Sequence, residues 1–164
     1  VAIGQKSENV QNADLLVYTP AVKPENPERA FASKQGIPQM ERSVLLGEIS
    51  RGFEQVVGIA GCHGKTTITS MAALMLEHGN VDATVHVGGD VAFLDAGTRV
   101  GKDNKLFITE ACEYVESFLE LRPTVEIINN IDDDHLDYYG DIIDDRRYRT
   151  HSKSIRAVYC ASPG

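Results

Sequence analysis

Short apolar runs alternate along the chain with segments in which apolar residues recur every three or four positions. Runs of the first kind predict buried strands, and segments of the second kind predict helices packed on a sheet. The predicted strands are residues 15–18, 37–40, 56–60, 83–87, 105–110 and 123–131, and the predicted helices are residues 27–35, 41–51 and 66–78. Such alternation is typical of an α/β fold with a mainly parallel sheet.

The same pattern predicts buried faces and a division of the chain. Helix 41–51 is predicted to be amphipathic through Val44, Leu45, Glu48 and Ile49. In helix 66–78 the predicted apolar face contains Ile68, Met71, Ala72 and Met75. Residues 94–104 are polar and punctuated by glycine, so they predict a loop or a weak hairpin. Gly52 interrupts the pattern, and we expect residues 1–52 and 53–164 to belong to different domains.

Composition narrows the class of protein. An apolar content of 42% with 24% charged residues is that of a soluble globular chain. The net charge of -8 argues against general affinity for nucleic acid or for an anionic membrane. We find no apolar run long enough for a membrane span and no leader pattern, and we therefore expect a cytoplasmic protein. The start at Val1, without Met and inside an apolar run, predicts a fragment.

The three cysteines, Cys62, Cys112 and Cys160, are an odd number without paired spacing. This arrangement fits reduced thiols in a reducing compartment better than a disulfide framework or a zinc site.

A glycine-rich loop follows the strand 56–60 and ends in Gly-Lys-Thr. Its glycines let backbone N–H groups face inward, and a helix that starts at Lys65 directs its positive end to the same point. Lys65 can reach the outer phosphates of a nucleotide, and the Thr66 hydroxyl can ligate a magnesium ion. The predicted phosphate-binding residues are Gly61, Cys62, His63, Gly64, Lys65, Thr66 and Thr67. Because Ile59 stands where the usual motif has its first glycine, a glycine turn with a solvated lysine is the alternative.

Acidic residues follow two further predicted strands. Glu110 ends strand 105–110, where a carboxylate could hold magnesium opposite Thr66. The residues after strand 123–131 include four acids and one histidine: Asp132, Asp133, Asp134, His135 and Asp137. Such a cluster repels itself unless a cation relieves the repulsion, so His135 is a candidate metal-site residue. An acidic, solvated turn is the alternative for most of the acids.

The turn after strand 15–18 is a candidate substrate site. Ligands of open parallel sheets bind at the carboxyl ends of the strands. The residues at this position are Thr19, Pro20, Ala21 and Lys23. An ordinary turn with a solvated lysine is the alternative.

Three of these motifs resemble the central ATPase domain of the Mur ligase family. They are the loop 61–67, the run Glu-Ala-Cys-Glu-Tyr at 110–114, and the run Asn-Ile-Asp-Asp-Asp-His-Leu-Asp-Tyr-Tyr at 130–139. The turn Tyr-Thr-Pro-Ala-Val-Lys at 18–23 and Asn-Pro-Glu at 26–28 are similar to the second half of that family's N-terminal domain. The resemblance covers most of residues 1–141. It implies that residues 1–52 are the C-terminal half of a Rossmann-like UDP-substrate-binding domain and residues 53–164 the N-terminal part of a P-loop ATPase domain.

The resemblance also implies an activity. It is that of an ATP-dependent, amide-bond-forming ligase of peptidoglycan precursor synthesis, in which ATP phosphorylates a carboxylate and an amine then displaces phosphate from the acyl phosphate. His63 and the Asp-His-Leu-Asp-Tyr run are similar to family members whose substrates are UDP-N-acetylmuramate and L-alanine. The implied cofactors are ATP and Mg²⁺.

The resemblance assigns roles residue by residue. Lys65, Glu110 and His135 would be catalytic, and Thr66, Glu110 and His135 would bind magnesium. Asn130 would join the loop residues in binding ATP. No nucleic-acid or membrane partner is implied, and the sequence does not indicate an oligomeric state.

The chain departs from the family pattern in two places. Cys62 stands where the family more often has Thr, and residues 142–164 lack the expected helical periodicity, with the apolar run 155–160 arriving early for the next strand. Two alternatives stay open. One is another Mur-type or folylpolyglutamate-type ligase, and the other is a nucleotide-binding module without catalysis.

Overall fold

A computed structural model describes residues 3–94, 97–111, 120–130 and 156–159, the last of these as backbone only. The chain divides into two compact units, Val1–Leu46 and Gly47–Gly164. Parallel strand pairs joined through helices confirm the predicted α/β class. The predicted domain limit at residue 52 stays a prediction. Within the described ranges, no helix has the length and apolar character needed to cross a membrane.

The first unit contains a small parallel sheet and one covering helix. A 3-10 helix, Ser7–Val10, precedes strand β1, Leu16–Tyr18, helix α1, Pro27–Gln35, and strand β2, Gln39–Glu41. β1 and β2 pair in parallel. The Asn26 side chain accepts a hydrogen bond from the N–H of Glu28 at the start of α1, and Gly36 ends the helix in the left-handed conformation. The bounds of α1 therefore agree with the predicted helix 27–35.

Helix α2, Arg42–Ser50, leads from the first unit into the second. The later elements are β3 Gln55–Ala60, α3 Lys65–His78, β4 Thr84–His86, β5 Thr98–Arg99, β6 Leu106–Glu110, β7 Val125–Ile128 and β8 Arg156–Tyr159. β5 forms an antiparallel pair with β4, so the segment predicted as a loop or weak hairpin contributes one short strand. The apolar run 155–160 does form a strand, β8, although the residues before it lie outside the described part of the chain.

Within the described residues, the second unit has a six-stranded sheet in the order β5-β4-β6-β3-β7-β8. Every neighbouring pair except β4 and β5 is parallel. β3 is central, with β6 on one side and β7 on the other. The chain leaves β3 for β4 on the first side and later crosses to β7 on the second, which makes the carboxyl end of β3 a switch point of the kind that binds ligands.

The buried face of α3 differs from the predicted one. Met71 and Met75 are 57% and 72% exposed, whereas Thr69 and Ala73 are buried. Ala73 packs in a cluster with residues of β4 and the following loop, including Val85 and Leu94. Small residues let the helix approach the sheet, and Thr69 can be buried because its hydroxyl donates to the carbonyl oxygen of Lys65 over 2.8 Å. The prediction was right for Ile68 and Ala72, which are partly buried, and wrong for the methionines.

The predicted face of α2 was right for Val44 and Leu45, which are partly buried, and wrong for Glu48 and Ile49, which are exposed. Gly47 and Ser50 are its buried residues, and Ile49 is 47% exposed. A Cβ atom added to Gly47 would lie 2.5 Å from the carbonyl oxygen of Glu120, so the glycine allows the helix to approach this segment closely. The Ser50 hydroxyl donates to the Gly47 carbonyl over 2.7 Å, which satisfies it inside the fold.

Candidate phosphate-binding site

The predicted phosphate loop lies at the carboxyl end of β3, the switch point at which the strand connections change direction. Gly61 and Gly64 have φ values of 135° and 81°, which L side chains rarely adopt. α3 begins directly after Gly64, and this N-cap residue provides no side-chain hydrogen bond. Since the first N–H groups of a helix have no intrahelical acceptor, the loop and helix start together form a site suited to an anion.

Lys65 directs its ammonium group onto the loop. Its Nζ donates to the carbonyl oxygens of Gly61 at 2.6 Å and of Cys62 at 3.5 Å. A lysine ammonium has three donor hydrogens, and these bonds keep the charge beside the loop. A phosphate that enters the loop therefore meets a cation already in place.

Two consecutive asparagines hold the loop against the end of β7. The Asn129 N–H donates to the carbonyl oxygen of Ala60 at 2.9 Å, and the Cys62 N–H donates to that of Asn130 at 3.4 Å. The pairing of β3 with β7 therefore continues past both strands into the loop. The Asn130 side chain adds one more two-way contact, because its Oδ1 accepts from the N–H of His63 and its Nδ2 donates to the His63 carbonyl, each over 2.9 Å.

Asn129 also reaches the loop through its side chain. Its Nδ2 donates to the carbonyl oxygen of His63 at 2.8 Å, so two side-chain amides converge on one acceptor. Asn130 was predicted from the resemblance, and the structure brings it to the loop. Asn129 was missed, and the available signal was its position as the first polar residue after an apolar strand.

The loop glycines pack directly on this asparagine pair. A Cβ atom added to Gly61 would lie 3.0 Å from the backbone nitrogen of Asn130 and 3.1 Å from the Cβ of Asn129. A Cβ atom added to Gly64 would lie 2.8 Å from Asn129 Nδ2. The glycines are therefore required by the neighbouring segment as well as by the backbone conformation of the loop.

Glu110 lies at the end of β6, the neighbour of β3 on the opposite side. Its Oε1 is buried and has no hydrogen-bond partner among the described residues. A Cβ atom added to Gly88 would lie 2.9 Å from Glu110 Oε2, and one added to Gly89 would lie 3.8 Å from the Thr66 methyl group. The Gly88-Gly89 backbone thus borders both of the predicted metal ligands that the structure describes.

The other predicted metal ligand is His135, which stands among several acids in the sequence. His135 and the acids Asp132, Asp133, Asp134 and Asp137 lie outside the described residues. Among the residues that are described, no group of three or more His, Cys, Asp or Glu side chains could hold a metal ion. Of the predicted metal site, the structure therefore describes Glu110 and Thr66, which both lie beside the Gly88-Gly89 backbone.

The predicted substrate residues form one turn of the first unit. Thr19 is half-buried and its carbonyl accepts from the N–H of Val22 at 2.9 Å, while Pro20, Ala21 and Lys23 are exposed. The Arg29 guanidinium donates to the Val22 carbonyl at 2.6 Å and lies 3.7 Å from the centre of the Tyr18 ring. These contacts hold the turn to β1 and α1, and its role in substrate binding stays a prediction.

The fold and the loop define an α/β domain of the P-loop type. A family profile described as Mur ligase middle domain matches residues 59–144, which is more than half of the chain. A second profile, described as Mur ligase family, catalytic domain, matches residues 1–54. The chain belongs to the Mur ligase family.

Individual relatives agree with this membership. The chain is 51% identical over 142 residues to a UDP-N-acetylmuramate–L-alanine ligase from Alkaliphilus metalliredigens, covering 87% of this chain and 31% of the relative. It is 49% identical to the enzyme of the same name from Acetivibrio thermocellus, covering 85% and 29%. The crystal structure of UDP-N-acetylmuramate-alanine ligase from Thermotoga maritima matches with a TM-score of 0.82 at 30% identity, covering 97% and 37%. The chain spans about a third of the length of these relatives.

Proposed function

We propose that this chain is the ATP-binding part of a ligase that joins L-alanine to UDP-N-acetylmuramate in the cytoplasm. Relatives at 51% and 49% identity that are named for this reaction support the proposal. In this reaction ATP phosphorylates the carboxylate of UDP-N-acetylmuramate, and the amine of L-alanine then displaces phosphate to form an amide.

The observation that carries the proposal is the arrangement at the end of β3. The start of α3, which has no side-chain cap, and the Lys65 ammonium provide positive charge after β3. The neighbouring strand in the sheet, β6, ends in the Glu110 carboxylate. Backbone N–H groups and Lys65 would bind the outer phosphates of ATP and fix their direction. Transfer brings the anionic phosphate close to an anionic carboxylate, so positive groups fixed before the reaction stabilise the transition state.

The described residues fit a magnesium ion. A buried carboxylate oxygen without a donor among the described residues, Glu110 Oε1, is a hard ligand of the kind magnesium prefers, and the Gly88-Gly89 backbone borders both Glu110 and Thr66. Glu110 and the Thr66 hydroxyl would hold the ion, together with His135 outside the described residues. When bound, magnesium would neutralise part of the phosphate charge.

The unit that contains residues 19–23 would bind the UDP-linked substrate. The turn formed by Thr19, Pro20, Ala21 and Lys23 has a hydrogen-bonded backbone and one exposed cation, Lys23, which would pair with an anionic diphosphate group.

Calorimetric titration with ATP tests the proposal. The chain is expected to bind ATP in the presence of Mg²⁺, and Lys65→Ala should weaken binding about tenfold or more, the factor lost with one charge-assisted hydrogen bond. Lys105→Ala is the matched control, since the Lys105 side chain is 72% exposed and pairs with Asp103 at the surface. Absence of binding, or equal affinity of the Lys65→Ala variant, would overturn the proposed phosphate site.

The substrates are tested by phosphate release. Release should require UDP-N-acetylmuramate and should be fastest with L-alanine. Faster release with D-glutamate, glycine or a tripeptide would instead assign another ligase of the family. Mg-ATP binding that Lys65→Ala weakens and Glu110→Gln leaves undiminished would indicate a nucleotide site without this catalytic role.

A further inference from the structure

We propose that Asn129 is a positioning residue for the phosphate loop, which fixes the peptide group between His63 and Gly64 in the orientation that binds phosphate. The proposal rests on the proposed function of the loop as an ATP site. It assigns a role to a side chain that touches the loop backbone and makes no claim of contact with ATP.

The first argument concerns the path of the chain after β7. Successive side chains of a strand point to opposite faces, so two neighbouring side chains of a strand do not normally reach one atom. β7 ends at Ile128, and the next two residues have left the strand conformation. Asn129 and Asn130 can therefore both direct their side-chain amides to the His63 carbonyl oxygen, at 2.8 and 2.9 Å.

The second argument concerns the peptide group itself. A carbonyl oxygen has two lone pairs, and here each has a side-chain N–H donor. The carbonyl of His63 and the N–H of Gly64 belong to the same trans peptide group, so they point in opposite directions. Holding the carbonyl toward the asparagines therefore turns the Gly64 N–H away from them. A rotation of this peptide would replace the N–H by a carbonyl oxygen, which repels phosphate.

The third argument is the fit between Gly64 and Asn129. The Asn129 amide nitrogen occupies the space next to Gly64 where a side chain would begin, at 2.8 Å from the added Cβ position. The φ of 81° at Gly64 is available at low cost only to glycine, so this backbone has freedom that some other group must restrict. Asn129 supplies that restriction from outside the loop. Asn130 holds the N–H and the carbonyl of His63, and Asn129 adds a second side-chain donor to that carbonyl.

The test compares Asn129→Ala and Asn129→Leu with the unaltered 164-residue chain. Leucine is branched at Cγ like asparagine, although it is larger, and it has no donor, so the pair separates hydrogen bonding from side-chain shape. Asn104→Ala is the control, because Asn104 is an exposed asparagine of the same unit. Three quantities are measured: affinity for Mg-ATP, thermal stability, and the ¹H–¹⁵N amide resonance of Gly64 in the absence of nucleotide.

Both Asn129 variants are expected to weaken Mg-ATP binding about five- to tenfold, the factor that corresponds to one hydrogen bond. Both should shift the Gly64 resonance without nucleotide, and Asn104→Ala should change neither quantity. The inference is overturned if Asn129→Leu binds Mg-ATP like the unaltered chain, because shape would then suffice. It is also overturned if the Gly64 resonance stays in place in both variants.

Failure of the proposed function gives a different result. In that case the unaltered chain itself does not bind Mg-ATP. The Gly64 resonance then decides the structural part of the inference alone, since a shift in both Asn129 variants still supports control of this peptide group and an unmoved resonance refutes it.

Discussion

Glu110 has a buried carboxylate oxygen without a hydrogen-bond donor among the described residues. Leaving an acceptor in this state costs about 1–3 kcal/mol, and more when the group is charged. A Cβ atom at Gly88 would lie 2.9 Å from the other carboxylate oxygen, so the backbone of this glycine passes close to the Glu110 carboxylate. A carboxylate kept in this condition indicates a site that a cation completes.

We therefore predict that Mg²⁺ in the presence of ATP raises the melting temperature of the chain and that Glu110→Gln removes most of this rise. A ligand that binds only the folded state stabilises it by RT ln(1 + [L]/Kd), and the variant loses a charged ligand of the metal, which raises Kd. Without Mg²⁺ the variant should be at least as stable as the original, because a neutral amide is less costly to bury. Glu54→Gln, at an exposed position of the same unit, is the control. An undiminished magnesium effect in the Glu110 variant would exclude Glu110 as a ligand.

Much of the site could be predicted from single residues and their neighbours in sequence. Lys65 after Gly64, and Glu110 at the end of an apolar run, carry local signals that need no knowledge of the fold. The local signal at Asn129 is its position after an apolar strand, and this does not reveal its role. That role depends on the pairing of β7 with β3, which brings it to a loop 66 residues earlier in the chain. Contacts of this kind follow from strand order and register, and neither could be predicted from a single sequence.

At the scale of elements, the positions of the helices were predicted well and their buried faces were not. α3 carries two overlapping stripes of side chains. One is apolar and includes Met71 and Met75, and the other consists of smaller residues and includes Thr69 and Ala73. Apolar periodicity favours the face with the larger side chains as the buried one. In the structure the smaller side chains are buried instead, because they allow the helix to approach the sheet closely. Polar Thr69 could enter the buried face only because the helix backbone accepts its hydroxyl hydrogen.

This assignment predicts opposite responses on the two faces of α3. Met75→Lys should change the free energy of unfolding by less than about 0.5 kcal/mol, as is usual for exposed positions. Ala73→Leu should destabilise the chain by about 1–3 kcal/mol, because extra volume in a packed cluster forces neighbours apart. Denaturant unfolding of both variants measures the difference. Equal changes in the free energy of unfolding, or a larger loss of stability for Met75→Lys, would instead support the buried face that was predicted from the sequence.

Gly47 gives a second prediction at this scale. Alanine normally stabilises a helix by about 0.8–1.0 kcal/mol relative to glycine. Here the added Cβ would lie 2.5 Å from the Glu120 carbonyl oxygen, which is backbone and cannot rotate away. Gly47→Ala should therefore destabilise the chain by about 1–3 kcal/mol, the range for overpacking, as measured by denaturant unfolding. A gain in stability would show that α2 does not pack closely on residue 120.

Glu48→Gln on the same helix serves as the control for Gly47→Ala. Glu48 and Arg51 are partly exposed partners of an ion pair. The hydrogen bond and charge of Arg51 lower the pKa of Glu48, so any stabilisation by the pair is present at neutral pH and lost as the pH falls through that pKa. Because exposed pairs contribute little, the variant should unfold almost like the original chain.

At the scale of the whole molecule, one sheet organises the site. The central position of β3 places the phosphate loop between the strand that ends in Glu110 and the strand that leads to the asparagine pair. The alternation of strands and helices predicted the parallel class. It did not predict that β6 would lie between β4 and β3, although this order is what makes Glu110 a neighbour of the loop.

The last prediction separates ATP binding from amide formation. The elements of the phosphate site lie within the second unit, so the chain should bind Mg-ATP by itself. Amide formation also requires the carboxylate, the γ-phosphate and the amine to be held together, and such positioning contributes about 7–11 kcal/mol to rate acceleration. The relatives named for this reaction have roughly two-thirds of their length outside the match, since the chain covers 31% and 29% of them. We therefore expect this chain to release phosphate from ATP, UDP-N-acetylmuramate and L-alanine at least about a hundredfold more slowly than the complete Alkaliphilus metalliredigens relative in the same assay. Comparable rates would show that the residues needed to position all three substrates lie within this chain.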